Sequence, residues 1–161
     1  MLYRNMKKQG KPSKKIPLKR IIGRLDRVDF PDLSLNDIDA KIDTGAFTTA
    51  MHCASMQVFR RKEETWVRFT LYDDELQIKH TSRIVEYRVI KNSSGQKEER
   101  CIINTRVRLF GQDYFIDVAL TNRSGMKNPV LLGRKLLMNN FIVDVSKIHL
   151  SYRQKMKSLR K

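Results

Sequence analysis

A turn constrains this chain more than any other feature. Cys101 to Phe110 and Tyr114 to Thr121 are runs in which β-branched and aromatic residues alternate with polar ones. Only Gly111-Gln112-Asp113 separates them, a Gly-containing connection of the kind that closes a β-hairpin. The same alternation recurs upstream, in Trp66 to Tyr72 and again in Ile84 to Ile90 after the acidic turn at Asp73, Asp74 and Glu75. A second turn, Asn92-Ser93-Ser94-Gly95, separates Tyr87 to Ile90 from Arg100 to Ile103 and predicts an exposed hairpin. The span from Gln57 to Arg83 is expected to be a long connection around the Trp66 strand. Helical periodicity is confined to one short segment, about Arg134 to Asn139.

The expected fold is therefore all-β. With 161 residues, 40% of them hydrophobic, the chain has the length of one domain and enough apolar side chains for a core. Its charge is unevenly placed. Residues Met1 to Arg24 hold nine basic side chains and no acid, and Arg153 to Lys161 hold five more, again with no acid. Fourteen of the 33 basic residues thus lie at the two ends, leaving 19 basic against 17 acidic residues in between. The expected organisation is a basic, solvated tail over 1–17, one domain over 18–152 and a second basic tail over 153–161. Tails of this kind attract polyanions by steering and counterion release.

Two cysteines, Cys53 and Cys101, make no disulfide framework and no Cys-x-x-Cys pair, so a reducing compartment is expected. The apolar stretch Ile16 to Ile22 is interrupted by Pro17, Lys19 and Arg20, which excludes a signal-peptide core or a membrane span there and predicts a soluble, cytoplasmic protein. The aromatic residues are spread along separate strands, which argues against the stacking platform of a nucleic-acid-binding β-barrel.

Two segments carry chemistry. Ala40-Lys41-Ile42-Asp43-Thr44-Gly45-Ala46 places an acid at the end of an apolar strand, directly before a hydroxyl residue and a glycine. Val130-Leu131-Leu132-Gly133-Arg134 runs from a second apolar strand into another glycine. Each is a common turn when met singly; in this order, with a hairpin between them, they are far more specific.

Together they resemble the active-site core of retropepsin-type aspartic proteases, in which an Asp-Thr-Gly-Ala loop packs against a later apolar-apolar-Gly-Arg segment. About Ile22 to Leu150 more closely resembles a bacterial retropepsin-like family named as ATP-dependent zinc proteases and associated with ATP-grasp glutamate ligases. Carrying this resemblance are Lys41 to Ala46, Ala50-Met51-His52, Trp66-Val67-Arg68-Phe69, Ser94-Gly95-Gln96, Leu120-Thr121-Asn122-Arg123 and Leu131-Leu132-Gly133-Arg134. The resemblance implies a closed β-barrel with one short C-terminal helix, assembled as a twofold homodimer.

It also implies roles. Two close carboxylates sharing one proton can act as base and acid toward a water attacking a peptide, because both cannot ionise at about 3 Å. One chain supplies one such loop, so Asp43 would be half of a dyad, with Thr44 bracing the two loops and Gly45 allowing close backbone approach. Ala46, Arg88, Gly133 and Arg134 are the substrate-binding candidates, Arg88 from the segment Tyr87 to Arg100, which falls where retropepsins carry a flap. Leu131 and Leu132 are expected in the core. Phe47 stands where retroviral proteases place an acid that pairs with an arginine at the position of Arg134, and where the bacterial family has arginine.

No metal or cofactor is expected. His52, His80 and His149 are scattered and form no His-Glu-x-x-His; His52, Cys53 and Cys101 read as packed core rather than a ligand set. There is no Gly-x-x-x-x-Gly-Lys-Ser/Thr loop for ATP. The expected substrate is a protein or peptide, in particular an acidic or glutamylated tail, with the ribosome or an ATP-grasp ligase as partner and no membrane. The competing reading is a noncatalytic retropepsin-like module that binds ribosomes, RNA or the ligase through its basic ends.

Overall fold

A computed structural model of the chain describes residues 18–71, 75–91, 94–122 and 126–161. Its elements run β1 (Arg20–Ile22), β2 (Leu25–Phe30), β3 (Leu35–Ile42), β4 (Thr49–Arg61), β5 (Glu64–Leu71) and β6 (His80–Arg83). They continue with β7 (Glu86–Lys91), β8 (Lys97–Leu109), β9 (Gln112–Thr121), β10 (Val130–Leu132), helix α1 (Arg134–Asn140), β11 (Phe141–Val143) and helix α2 (Leu150–Leu159). The fold is mostly β, as the alternation predicts.

The main sheet follows the order β10-β3-β2-β8-β9-β4-β5-β6, with β7 paired to β8. β10 pairs in parallel with β3 and antiparallel with β4, so its three residues tie two distant parts of the path together. Inward positions of the alternating strands meet in one core: Val28 and Phe30 from β2, Val67 and Phe69 from β5, Ile103, Val107 and Leu109 from β8, and Val118 and Leu120 from β9. A separate two-stranded parallel sheet pairs β1 with β11.

Three expectations about elements need correction. The β8–β9 turn is Phe110-Gly111 alone, with Leu109 opposite Gln112; Gln112 and Asp113 already belong to β9. Both turn residues have positive φ, 53° and 74°, the geometry whose twist matches that of the flanking strands. The span from Gln57 to Arg83 is no loose connection: β4 and β5 form a long antiparallel hairpin that β6 extends, with Phe59 opposite Trp66 and Trp66 opposite Arg83.

The third correction concerns the C-terminus, where a basic tail over 153–161 and a single helix were expected. Instead α2 runs through most of that stretch, so there are two helices among the described residues. It is held by partners more than a hundred residues away. The buried Asp26 carboxylate accepts the backbone N–H groups of Ser151 and Tyr152, both at 3.0 Å, which satisfies donors at the helix start and places negative charge at the positive end of the helix dipole. The Ser151 hydroxyl accepts Phe110 N–H, and Lys155 reaches Asp29 and Asp37 at 2.8 and 2.7 Å. Helix α1 occupies the predicted segment to within a residue. The expected tail over 1–17 and the Asn92-Ser93 turn lie outside the described residues.

Asp26→Ala removes the acceptor for three buried or half-buried N–H groups, those of Arg27, Ser151 and Tyr152. It should cost about 2 kcal/mol in denaturant unfolding. Hydrogen exchange should quicken over 150–159 while the sheet amides stay protected; equal protection of α2 in the variant would show that the cap does not hold the helix.

Candidate active site

β3 ends at Ile42, and the next residue, Asp43, donates its backbone N–H to Leu132 O at 2.9 Å. The Asp43 loop therefore continues from the strand pair that β3 makes with β10. Its carboxylate folds back on its own loop: Oδ1 accepts Gly45 N–H at 2.9 Å and Ala46 N–H at 3.1 Å. Among the described residues Oδ2 has no hydrogen-bond partner. A Cβ on Gly45 would meet Asp43 Oδ1 at 3.2 Å, so the glycine keeps that turn tight.

The second segment locks onto the loop from behind. Arg134 N–H donates to Ala46 O at 2.8 Å and Lys135 N–H to Phe47 O at 3.0 Å, so the first turn of α1 reads the backbone of the loop. Gly133 N–H donates to Thr49 Oγ1 at 3.2 Å. A Cβ at Gly133 would stand 2.7 Å from Phe47 O and from the Thr48 carbonyl carbon, inside the space of backbone atoms that no rotamer change can clear.

The Arg134 side chain does not simply face the cleft. Its Nη1 donates to the carbonyl oxygens of Thr44 and Gly45, both at 2.9 Å, and its guanidinium carbon lies 5.9 Å from the centre of the Phe47 ring. With Phe47 where an acid would pair with Arg134, two loop carbonyls and an aromatic face take up the cation instead.

An open cleft of about 710 Å³ runs over this loop, lined by Asp43, Gly45, Ala46 and Phe47 on one side and by Arg88 to Lys91 of β7 on the other. Arg88 bridges the two walls: it donates to Thr48 Oγ1 at 3.1 Å, reaches Asp117 Oδ2 at 3.5 Å and pairs with Glu86. Lys91, Arg100 and Arg134 also line the cleft, so its walls carry four cationic side chains. Arg100 is committed to Glu98 at 2.9 Å.

Asp117 was not visible as a site residue in the sequence, where it is one polar position in an alternating strand. It receives Lys135 Nζ and Asn104 Nδ2, both at 2.5 Å, besides Arg88, and so joins α1, β8 and β7 next to the cleft wall that Arg88 forms. Lys135 first, then Arg88, hold its carboxyl below the usual carboxylate range, against the opposing effect of partial burial. Cys53 and Cys101 are buried; burial, with Cys101 nearby, pushes the Cys53 thiol up to about 12, and burial raises Cys101 as well. Both stay protonated thiols in the core. Among the described residues, no three His, Cys, Asp or Glu side chains converge to hold a metal ion.

A strand-borne Asp-Thr-Gly loop locked by a Gly-Arg segment crossing behind it defines a retropepsin-like chain. The family model described as "RimB-like: Retropepsin-like aspartic endopeptidase RimB" matches residues 21–154, and the chain belongs to that family. It is 35% identical over 130 residues to a protein of Desulfotalea psychrophila named "Probable alpha-L-glutamate ligase", covering 78% of this chain and 28% of that one. A protein of the same name from Shewanella pealeana is 35% identical over 132 residues, covering 80% of this chain and 29% of its own length. The chain thus spans less than a third of these relatives. A crystal structure of a DUF785 protein from Legionella pneumophila superposes with a TM-score of 0.69 at 25% identity, covering 82% of this chain and 98% of that one.

Gly133→Ala should destabilise the fold by about 2 kcal/mol or more in denaturant unfolding, since the added methyl meets backbone rather than a movable side chain; an unchanged midpoint would mean that the two segments do not cross this closely. Asp117→Asn should lower stability at pH 7 by about 1–2 kcal/mol through loss of the charged acceptor. A carboxyl held below its unfolded value contributes stability above about pH 4 and loses it as the pH falls through the lowered folded value. The gap between wild type and Asp117→Asn, followed by unfolding from pH 7 down to 2, should therefore close in acid. A gap constant with pH would show that Asp117 does not titrate in this way.

Proposed function

We propose that this chain is an aspartic peptidase whose active form is a cytoplasmic homodimer of closed retropepsin-like barrels, with the Asp43 residues of two protomers sharing one site. The carrying observation is the Asp43 loop itself: Oδ1 is fixed by two backbone N–H groups, Oδ2 is left without a partner among the described residues, and the loop is locked by Gly133 and Arg134. Among the described residues the cleft of a single chain holds one carboxylate, and one carboxylate cannot serve as both base and acid.

In the dyad one Asp43 carboxylate takes a proton from water as the oxygen attacks the peptide carbonyl carbon. The other, protonated Asp43 gives its proton to the carbonyl oxygen. The resulting diol collapses as a proton passes to the departing amine nitrogen, and one shared proton is restored to the pair. Thr44 braces the paired loops, and Ala46, Arg88, Gly133 and Arg134 border the bound peptide.

The preferred substrate is an acidic or glutamylated protein tail. Of the cationic side chains that line the cleft, Lys91 and Arg134 have no carboxylate partner among the described residues, and relatives that contain a similar stretch carry a glutamate-ligase name. An ATP-grasp ligase that adds glutamates, and the ribosome as bearer of such a tail, are the partners that fit this chemistry. The noncatalytic reading assigns the same domain to recruitment through its basic ends.

Asp43→Ala should lower cleavage of a glutamate-tailed peptide by at least about a hundredfold while leaving the melting temperature and the sedimentation of the dimer unchanged. Undiminished cleavage by Asp43→Ala, or a strictly monomeric active protein, would sink the dyad. No Asp43-dependent hydrolysis of any peptide in a library, together with partner binding abolished on removing residues 1–17 or on neutralising the exposed Arg160 and Lys161, would select the noncatalytic module.

A further inference from the structure

The β4–β5–β6 sheet has one face in the core and one facing away from it. Val67, Phe69 and His80 point inward and are buried. The strand register places Gln57, Phe59 and Arg61 of β4, Glu64, Trp66 and Arg68 of β5, and Thr81 and Arg83 of β6 on the opposite face. All of these are exposed except Phe59 and Trp66, which are half-buried.

Phe59 and Trp66, separate in sequence, are directly opposed across the hairpin. Each ring carries an arginine: the Arg61 guanidinium carbon lies 5.6 Å from the Trp66 ring centre and that of Arg68 5.3 Å from the Phe59 ring centre. Arg83 stands beside Trp66 and is met by Glu64 at 2.9 Å, while Arg61 and Arg68 have no carboxylate partner among the described residues. The Trp66 indole N–H has no acceptor there either. Strand pairing thus sets side by side two aromatic rings that the sequence shows on separate strands.

We propose that this face is a binding site for single-stranded nucleic acid. Aromatic rings and guanidinium planes are the two surfaces on which unpaired bases stack, and Arg61 and Arg68 supply the cations that a phosphate backbone requires. A folded peptide partner would be expected to meet an apolar or oppositely charged face; this one alternates flat π surfaces with cations along two adjacent strands. The site is on the β4–β5–β6 sheet, whereas the Asp43 cleft is walled by the β3–β4 loop and β7, so it stands independently of the peptidase reading.

Trp66 is the one tryptophan in the chain, so its fluorescence reports on this face directly. Titrating the full chain with a twelve-nucleotide oligouridylate should quench that emission, and oligothymidylate of the same length tests whether the 2′-hydroxyl matters. Heparin, which has charge but no bases, should leave the emission unchanged even where it binds the basic ends. In anisotropy with the labelled RNA, Trp66→Leu should weaken binding about tenfold. The Arg61→Gln/Arg68→Gln double variant should reduce the slope of log affinity against log salt by about 1.4, at about 0.7 for each phosphate no longer neutralised. Melting curves identify any variant that fails to fold, and the arginine pair, both exposed, keeps the test open if Trp66→Leu does. Equal quenching by heparin, or wild-type affinity and salt slope in a folded arginine variant, would overturn the proposal.

Discussion

β10 has three residues and two neighbours. Its parallel pairing to β3 and antiparallel pairing to β4 hold the strand that leads into Asp43 and the strand that follows its loop on either side of the segment that enters α1. The loop from Asp43 to Thr48 therefore has fixed ends, and its interior is held by Arg134 and Lys135 N–H groups and by the Arg134 guanidinium. Such a crossing is possible only with no side chain at 133, because the carbonyls of Phe47 and Thr48 occupy the space where one would stand. Rigidity at Asp43 is thus a consequence of sheet pairing rather than of contacts made by the carboxylate alone.

How much of this the sequence discloses depends on the range of the interaction. The Asp43 and Gly133 segments are legible because each is a short run whose residue types answer to local backbone needs, and α1 is legible for the same reason. The end of the chain is not. Arg153 to Lys161 reads as a solvated charge run because the acids that hold its helix, Asp26 at the helix start and Asp29 and Asp37 at Lys155, lie more than a hundred residues earlier. The Phe59–Trp66 pair is hidden for a different reason: the rings are close in sequence, but it is the register of the β4–β5 hairpin, not composition, that places them side by side. Arg134 illustrates a third case, in which a motif position is recognisable but the Phe47 beside it changes where the cation is held.

Charge placement changes its meaning in the same way. A net +16 spread over 161 residues describes a polyanion binder and nothing more. In the folded chain, Lys155 is engaged in anchoring a helix, Lys135 and Arg88 pair with Asp117, and Arg106 and Arg108 with Asp113. Cations already paired within the domain contribute little to attracting a ligand, since their field is largely cancelled at short range. Those left without carboxylates weigh more heavily, and among the described residues Arg61 and Arg68 are such a pair.

On the reading proposed above, one chain holds half of a two-carboxylate site. The cleft presents one carboxylate, with no second acid among the described residues lining it. The sequence contains one Asp-Thr-Gly run, and both edges of β10 beside it are already paired within the chain. On the reading proposed above, chemistry at Asp43 is then conditional on association, and the concentration of the chain, or a scaffold that brings two copies together, becomes a control on activity. A surface that binds single strands elsewhere on the domain would supply that scaffold, because two chains held on one strand meet at a higher effective concentration than two chains free in solution.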